Sequence, residues 1–499
     1  MSYTTLVKTF HRLAQLEHAQ AMLGWDQAVM MPPGGNSARG KAMAELSVMS
    51  TEILQDPSLA DAFSAAENEA ELNDWQRANL REMTVQWKQA LAVPKELVEA
   101  QALASNECEH AWRTLRPENN WTDFEPMLQK VFDLAKESAQ ALKAALADER
   151  GYANDYDALI DLYDPGTRMA RIDPVFDELK ATLPGLLQNI LERQNSQPKP
   201  MLPTGPFAIE KQDALARDLM DKLGFDFNAG RLDQTAHPFS GGVPEDARIT
   251  TRYDENNVIE GLMGVIHETG HARYEMGRPK DWLSQPVGQA MGMGVHESQS
   301  LFFEMQLGRS RPFIEALSPL LRKHLGVDPA FEPDNLHALY SQVNPGLIRV
   351  NADEVTYPMH VILRYELERD LILGNASVSD IPERWNIAMD KYLGLDTRGN
   401  YKDGPMQDIH WTMGAVGYFP SYTLGAMNAA QLHQAMIKQV PSAADGISHW
   451  QLQPIFNWLE QNVWSQGRFW SYDDLLKNAS GETLNSHYFI DHLKTRYLA

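Results

Sequence analysis

Apolar residues recur at three- and four-residue spacing along most of the chain, the period that lays one stripe down a helix. The pattern predicts helices over about 3–30, 38–55, 69–92, 94–115, 121–149, 173–194 and 206–223, parted by Pro and Gly signals such as "MPPGGNS". Helical spacing pauses between 224 and 254, then resumes at 256 and includes about 287–308, 331–342, 358–373, 421–438 and 446–463. Within the pause, "DARITTRYD" (246–254) carries β-branched residues and some alternation, which predicts a small β element near 246–253. An exposed strand edge of that kind can pair with another backbone. No internal repeat or low-complexity tract interrupts the pattern, so the expected fold is mostly α, one helical body over 1–499. The most linker-like stretch, "RQNSQPKPMLPTGP" (193–206), fits a subdomain boundary and a surface loop equally well.

Composition narrows the partners. Of 499 residues, 43% are hydrophobic and 22% charged, enough for sizeable cores and ordinary for a soluble protein. Lys and Arg number 44 against 67 Asp and Glu, a formal net charge of −23, which disfavours nucleic acid and anionic membranes. The single cysteine, Cys108, excludes an internal disulfide framework and a Cys-ligated zinc site, so any metal must use His and carboxylate. It also suits a reducing compartment. The start, "MSYTTLVKTFHRLAQLEHA", has Lys8, His11 and Arg12 too early for a signal-peptide core. No apolar run approaches the roughly 20 residues that cross a bilayer. The expected location is the cytoplasm.

The chemistry concentrates in "VIEGLMGVIHETGHARYEMG" (258–277). Asp254 to Asn257 offer N-caps, and Gly277 with Pro279 marks the end. His267 and His271 then stand at i and i+4 on one helix face, a spacing that brings two imidazoles to one zinc. Glu268, one position round, is poorly placed as a third ligand but can take a proton from a metal-activated water. The plain rival is a solvated helix face. Against it, Ile259, Leu262, Met263, Val265 and Ile266 make the helix strongly apolar, where unpartnered imidazoles are costly. Gly264 and Gly270 also cost roughly 1 kcal/mol each within a helix, a loss that close approach of another backbone would offset. A catalytic zinc needs a third protein ligand and an open position. In "MGMGVHESQSLFFEMQ" (291–306), Glu297 follows His271 by 26 residues, room for a loop and a returning helix. His296 is the local rival; Glu275 and Glu304 lack such an approach.

Several stretches together resemble the carboxypeptidase Taq family of metallocarboxypeptidases (peptidase family M32). They are "HPF" (237–239), "DARIT" (246–250), "HETGH" (267–271), "HESQ" (296–299), "IRVNAD" (348–353) and "GPMQDIHW" (404–411), in the family's order and spanning about 175 residues. The resemblance implies a large helical zinc-peptidase fold with a deep active-site groove, akin to neurolysin and angiotensin-converting enzyme. It implies release of single C-terminal amino acids from peptides with broad specificity, one Zn2+ per chain with Co2+ able to substitute, and a homodimer. By motif, His267, His271 and Glu297 become the metal ligands and Glu268 the general base and acid.

An enzyme of that kind has to hold a free C-terminal carboxylate, for which a planar, bidentate arginine is best shaped. Arg349 in "GLIRVNADEVTYP" is the first choice; its bland alternative is a helical ion pair with Asp353. Arg248 is a second choice, unless it merely pairs with Asp246. Hydrolysis also needs donors for the oxyanion. The segment 404–425 offers Gln407, His410, Tyr418 and Tyr422, and by analogy with related helical zinc peptidases His410 and Tyr422 suit that work. Both residue types also serve as satisfied core groups. His237 is expected to line the groove or to organise the turn before Gly241. Two other functions stay open: an endo-acting oligopeptidase on the same fold, and a non-enzymatic helical scaffold, which would have no need of Glu268.

Overall fold

The computed structural model describes residues 2–235 and 238–499. Among them, twenty α-helices and one three-stranded sheet carry the fold, in agreement with the mostly-α expectation. The helical periodicity located most elements closely: Ser2–Val29, Lys95–Leu115, Trp121–Arg150, Met169–Asn195 and Tyr357–Ile372 all fall near their expected spans. The predicted 287–308 helix starts only at Met293 and ends in a π-helical segment, Phe302–Gly308. Further helices at Ser58–Glu67, Asp155–Tyr163, Arg311–Leu325, Ile381–Leu393, Tyr472–Ser480 and His487–Leu498 fill stretches where short length or an internal proline blurs the period.

Strands β1 (Gly230–Gln234), β2 (Ser240–Val243) and β3 (Asp246–Thr251) are arranged in the order β1-β3-β2. The predicted β element is the central strand: β1 runs parallel to it with Leu232 beside Ile249, and β2 antiparallel with Gly241 beside Arg248. Alternation puts Ala247 and Ile249 on the inner face, packed with Val265, Ala272 and Met276 of the Val258–Gly277 helix. The sheet thus backs the helix that carries both histidines. Trp25 of the first helix packs over Phe239 beside β2, ring centroids 5.1 Å apart.

Two large apolar cores flank the chemistry. One gathers Phe124, Phe176, Met359, Trp385 and Trp411; the other gathers Ile266, Phe303, Phe313, Phe456 and Trp464. The Pro420–Gln439 helix feeds both, through Leu424 and Met427 on one side and Ala429 and Leu432 on the other. Polar groups on this helix and its neighbours therefore lie in a seam between apolar bodies. A cavity of about 740 Å³ opens beside the seam, lined by the first helix, the β2–β3 turn, Glu275, Met293 and His296. The Pro-rich stretch after Asn195 runs over the surface, with hydrogen bonds from Met201 N to Asn335 Oδ1 (2.7 Å) and from Thr204 N to Asp328 Oδ2 (2.9 Å).

Candidate active site

Asn257 caps the histidine helix by accepting from Glu260 N, and its own amide reaches the Glu260 carboxylate at 3.1 Å. The helix packs directly on the Met293–Leu301 helix because Gly270 lets the two main chains touch. A Cβ at 270 would lie 2.5 Å from the carbonyl oxygen of Gln299. The Pro420–Gln439 helix closes in from another side through Gly425, where a Cβ would stand 2.7 Å from the Cβ and Cγ of Glu297. Gly264, by contrast, faces open space and has no such packing role.

These contacts bring His267, His271 and Glu297 together, with one ligand atom from each inside a 4.8 Å circle. Glu297 Oε2 lies 3.8 Å from His267 Nε2 and 3.4 Å from His271 Nε2. Two donors each about 2.0–2.1 Å from one tetrahedral ion stand roughly 3.4 Å apart, so the donor set fits a divalent metal.

The opposite ring nitrogens explain why both histidines offer Nε2. His267 Nδ1 meets Glu304 Oε2 at 2.9 Å, and the other Glu304 oxygen is held by Arg309 at 2.6 Å. An ionised carboxylate only accepts, so His267 Nδ1 carries a proton and Nε2 is the nitrogen that faces Glu297. His271 Nδ1 meets His296 Nδ1 at 2.7 Å, His296 Nε2 meets Glu275 Oε1 at 2.9 Å, and Arg278 holds the far Glu275 oxygen at 2.6 Å. Reading inward from Glu275, His296 Nε2 donates, its Nδ1 accepts from His271, and His271 Nε2 is free to ligate. Of the residues the sequence offers as rival ligands, Glu304 and His296 meet the Nδ1 atoms of His267 and His271, and Glu275 meets His296.

Electrostatics separates the two rings. Burial holds the His271 pKa down at about 4, keeping the ring neutral. Burial also opposes a charge on His267, but Glu297 and Glu304 outweigh it and raise the ring to about 10. The two carboxylates thus make His267 a proton site for which a divalent cation competes, and ion binding there releases a proton. Glu268 is buried on the same helix without a hydrogen-bond partner among the described residues. Its carboxyl is pushed up to about 7, chiefly by burial, suited to proton exchange near neutrality.

Arg349 lies in a short 3-10 turn, Arg349–Asn351, and is buried. It does not pair with Asp353, which instead caps Val355 N and Thr356 N at 3.0 Å each. Its Nε and Nη2 donate to Asp408 Oδ1 at 3.0 and 2.8 Å, and Nη1 donates to the Tyr357 hydroxyl at 2.5 Å. The guanidinium carbon lies 4.9 Å from the centre of the Tyr422 ring. Arg364 shares the same carboxylate, with Nε 2.7 Å from Asp408 Oδ2. Gln407 is a loop staple: its amide accepts from Arg349 N at 2.7 Å and donates to the Leu347 carbonyl at 3.0 Å.

His410 Nε2 stands 3.0 Å from the Tyr422 hydroxyl, and its buried Nδ1 has no partner among the described residues. Burial first, and Arg349 second, hold its pKa down at about 4. Tyr422 sits one turn before Gly425, hence near Glu297, whose charge is felt at Tyr422, Tyr418 and Tyr357. Arg248 is gripped by Asp246 at 3.0 and 2.5 Å beside Trp25. His237 lies outside the described residues. Tyr357, Arg364 and Asp408 escaped sequence reasoning. Asp408 had one available signal, since a buried arginine demands an anion and an aspartate sits within the quoted "GPMQDIHW".

A half-buried His/His/Glu set with a carboxyl beside it, on a large helical frame, is the arrangement of a metallopeptidase. The sequence pattern of the Carboxypeptidase Taq (M32) metallopeptidase family matches residues 5–497, and the chain belongs to that family. The Thermostable carboxypeptidase 1 of Thermus thermophilus is 36% identical over 504 residues, covering 100% of this chain and 98% of the relative. The Pyrococcus furiosus protein of the same name is 34% identical, covering 99% and 98%. Among solved structures, Trypanosoma cruzi metallocarboxypeptidase 1 superposes with a TM-score of 0.97 at 41% identity, covering 100% of this chain and 99% of that one. The Pyrococcus furiosus carboxypeptidase Apo-Mg structure gives 0.94 at 33% identity, covering 100% and 99%.

Proposed function

We propose that this metallocarboxypeptidase uses zinc, with cobalt able to substitute, to release single C-terminal residues from peptides of varied sequence. His267, His271 and Glu297 hold the ion. When bound, the ion supplies Lewis acidity to a carbonyl oxygen and acidity to a water. Glu268 takes the proton of the attacking water and returns it to the leaving amine. His410 and Tyr422 donate towards the oxyanion that develops on the attacked carbonyl. Arg349 holds the terminal carboxylate; Arg248, already committed to Asp246, is the second cation to test. A homodimer follows from family resemblance, and the single cysteine suits the cytoplasm.

One observation carries the carboxylate assignment. Arg349 and Arg364 are both buried, and among the described residues the only carboxylate in direct contact with either is that of Asp408. Two cations on one anion leave a buried positive charge short of a partner, a costly arrangement that a substrate carboxylate completes. Arg349 spends three of its five N–H groups on Asp408 and Tyr357, which leaves one on each terminal nitrogen for an incoming fork of oxygens. The test compares an N-blocked dipeptide bearing a free carboxylate with its C-terminal amide, with and without chelator. Rapid, chelator-sensitive hydrolysis of the acid alone is expected. Equal rates on acid and amide would overturn the carboxylate reading in favour of an endo-acting oligopeptidase.

A further inference from the structure

Glu368 is wholly buried on the Tyr357–Ile372 helix, and no step above uses it. Three donors converge on its carboxylate. Trp411 Nε1 reaches Oε1 at 2.7 Å; Gly417 N at 2.8 Å and the Tyr156 hydroxyl at 2.6 Å reach Oε2. Trp411 follows His410 directly, and Gly417 directly precedes Tyr418. One side chain therefore ties down both ends of the segment that carries these two rings.

The surroundings leave the segment little freedom. Gly417 has φ of +94°, and a Cβ there would lie 2.9 Å from the carbonyl carbon of Leu159 on the Asp155–Tyr163 helix. Ala415 N closes back on the His410 carbonyl at 2.9 Å. Glu368 sits where this turn, the Asp155–Tyr163 helix and its own helix meet. Its chemistry is wasteful for packing alone. Arg364, whose charge is felt at Glu368, is bound to Asp408, and among the described residues no arginine or lysine forms an ion pair with Glu368. Burial raises its carboxyl to about 7, against the pull of the three hydrogen bonds and of Arg364. A buried carboxylate without direct counter-ion is retained at a cost of several kcal/mol, whereas an apolar residue of similar volume would fill the space without that loss.

We propose that Glu368 is a positioning residue for the reaction: by holding the Trp411 ring through Nε1 and the backbone at Gly417 N it anchors the 410–418 segment near both ends, and so sets where His410 and Tyr418 stand. This rests on the reading that the segment takes part in catalysis. Displacing such groups by about 1 Å costs on the order of a hundredfold in rate.

Glu368→Gln cannot satisfy both ends. If the amide oxygen takes the Oε2 place, its NH2 faces the Trp411 N–H; if it takes the Oε1 place, the NH2 faces the Gly417 N–H. The expected result is a fall in kcat of about ten- to a hundredfold, with KM and bound metal changed less than about threefold. Trp411→Phe deletes one hydrogen bond and keeps the buried ring, so it reports on an intact fold even if Glu368→Gln does not fold. Its kcat is expected to fall about three- to tenfold, and where the double variant folds its loss stays below the product of the two single losses, because removing the Trp411 donor also removes the clash that Glu368→Gln creates. A Trp411→Phe kcat within about twofold of the unaltered enzyme would overturn the proposal, as would losses that multiply in the double variant. His410→Ala separates the two layers of the argument. If it leaves kcat intact, the catalytic reading of the segment fails. If it lowers kcat while Trp411→Phe does not, positioning by Glu368 alone fails.

Discussion

Arg349→Met is the substitution from which the carboxylate clamp stands to lose most. It keeps the length of the buried stem and removes the guanidinium. The fold should withstand it, because Asp408 keeps Arg364 at 2.7 and 2.5 Å and is not orphaned. The change removes two hydrogen bonds to Asp408 and one to Tyr357, but also one of two cations competing for a single carboxylate. Substrate recognition has no such reserve. A hydrogen bond to a charged group contributes about 1.5–3 kcal/mol, so losing the fork costs about 3 kcal/mol or more, roughly 150-fold in kcat/KM. Arg349→Lys keeps the charge without the planar fork and should fall between, at about tenfold. The assay is kcat/KM on an N-blocked dipeptide acid and on its amide, alongside thermal unfolding and metal content. The acid should lose its advantage while the slow amide rate stays put. If Arg349→Met lowers acid and amide alike, or leaves the acid within about threefold, the assignment of Arg349 is refuted.

Glu268→Gln should retain the metal and lose at least about a hundredfold in kcat, since it cannot accept a proton; a modest loss would remove it as the base. Glu304→Gln frees His267 from its orienting carboxylate and should weaken metal binding about 10- to 100-fold, read by competition with a chromogenic chelator; unchanged affinity would contradict the orienting role. Gly270→Ala places a methyl 2.5 Å from the Gln299 carbonyl, which should cost about 1–3 kcal/mol in stability and weaken metal binding, whereas Gly264→Ala, facing open space, should not destabilise. Acid should unfold the protein early. Burial alone would raise Glu275, but Arg278 and His296 hold it at about 2, and Glu354 and Asp408 are likewise held below the usual carboxylate range by the cations around them. Each of these carboxyls binds its proton more readily unfolded, so its stabilisation is complete above about pH 5 and drains away below it, at about 1.4 kcal/mol per pH unit per group. Urea midpoints that stay flat from pH 5 to pH 3 would count against the three ion pairs.

What the chain discloses before folding depends on the range of the interaction. Helix periodicity is local, so Ser2–Val29 or Trp121–Arg150 can be read almost to their ends. Strands β1 and β2 cannot, because "GRLDQ" and "SGGV" have no alternation of their own and exist by pairing with β3. The candidate pair His267 and His271 is legible for the same local reason, and Glu297 because its helix returns after a short interval. The roles of Glu304 and His296 are not, since no spacing distinguishes a group that meets the inner ring nitrogen from one that meets the outer. Arg349 and Asp408 are 59 residues apart, and no pattern of residue types links them.

Gly270 lets the two helices that carry His267, His271 and Glu297 touch along their main chains, and Gly425 seats the Pro420–Gln439 helix, more than a hundred residues further along the chain, against Glu297. A centre of that kind cannot exist in part. If the three groups hold an ion as proposed, full affinity is expected only once both helix pairs have closed. Uptake of a spectroscopically visible cation during refolding would therefore act as a clock for the last act of tertiary assembly, timing the moment when the two apolar cores lock together along their shared helix.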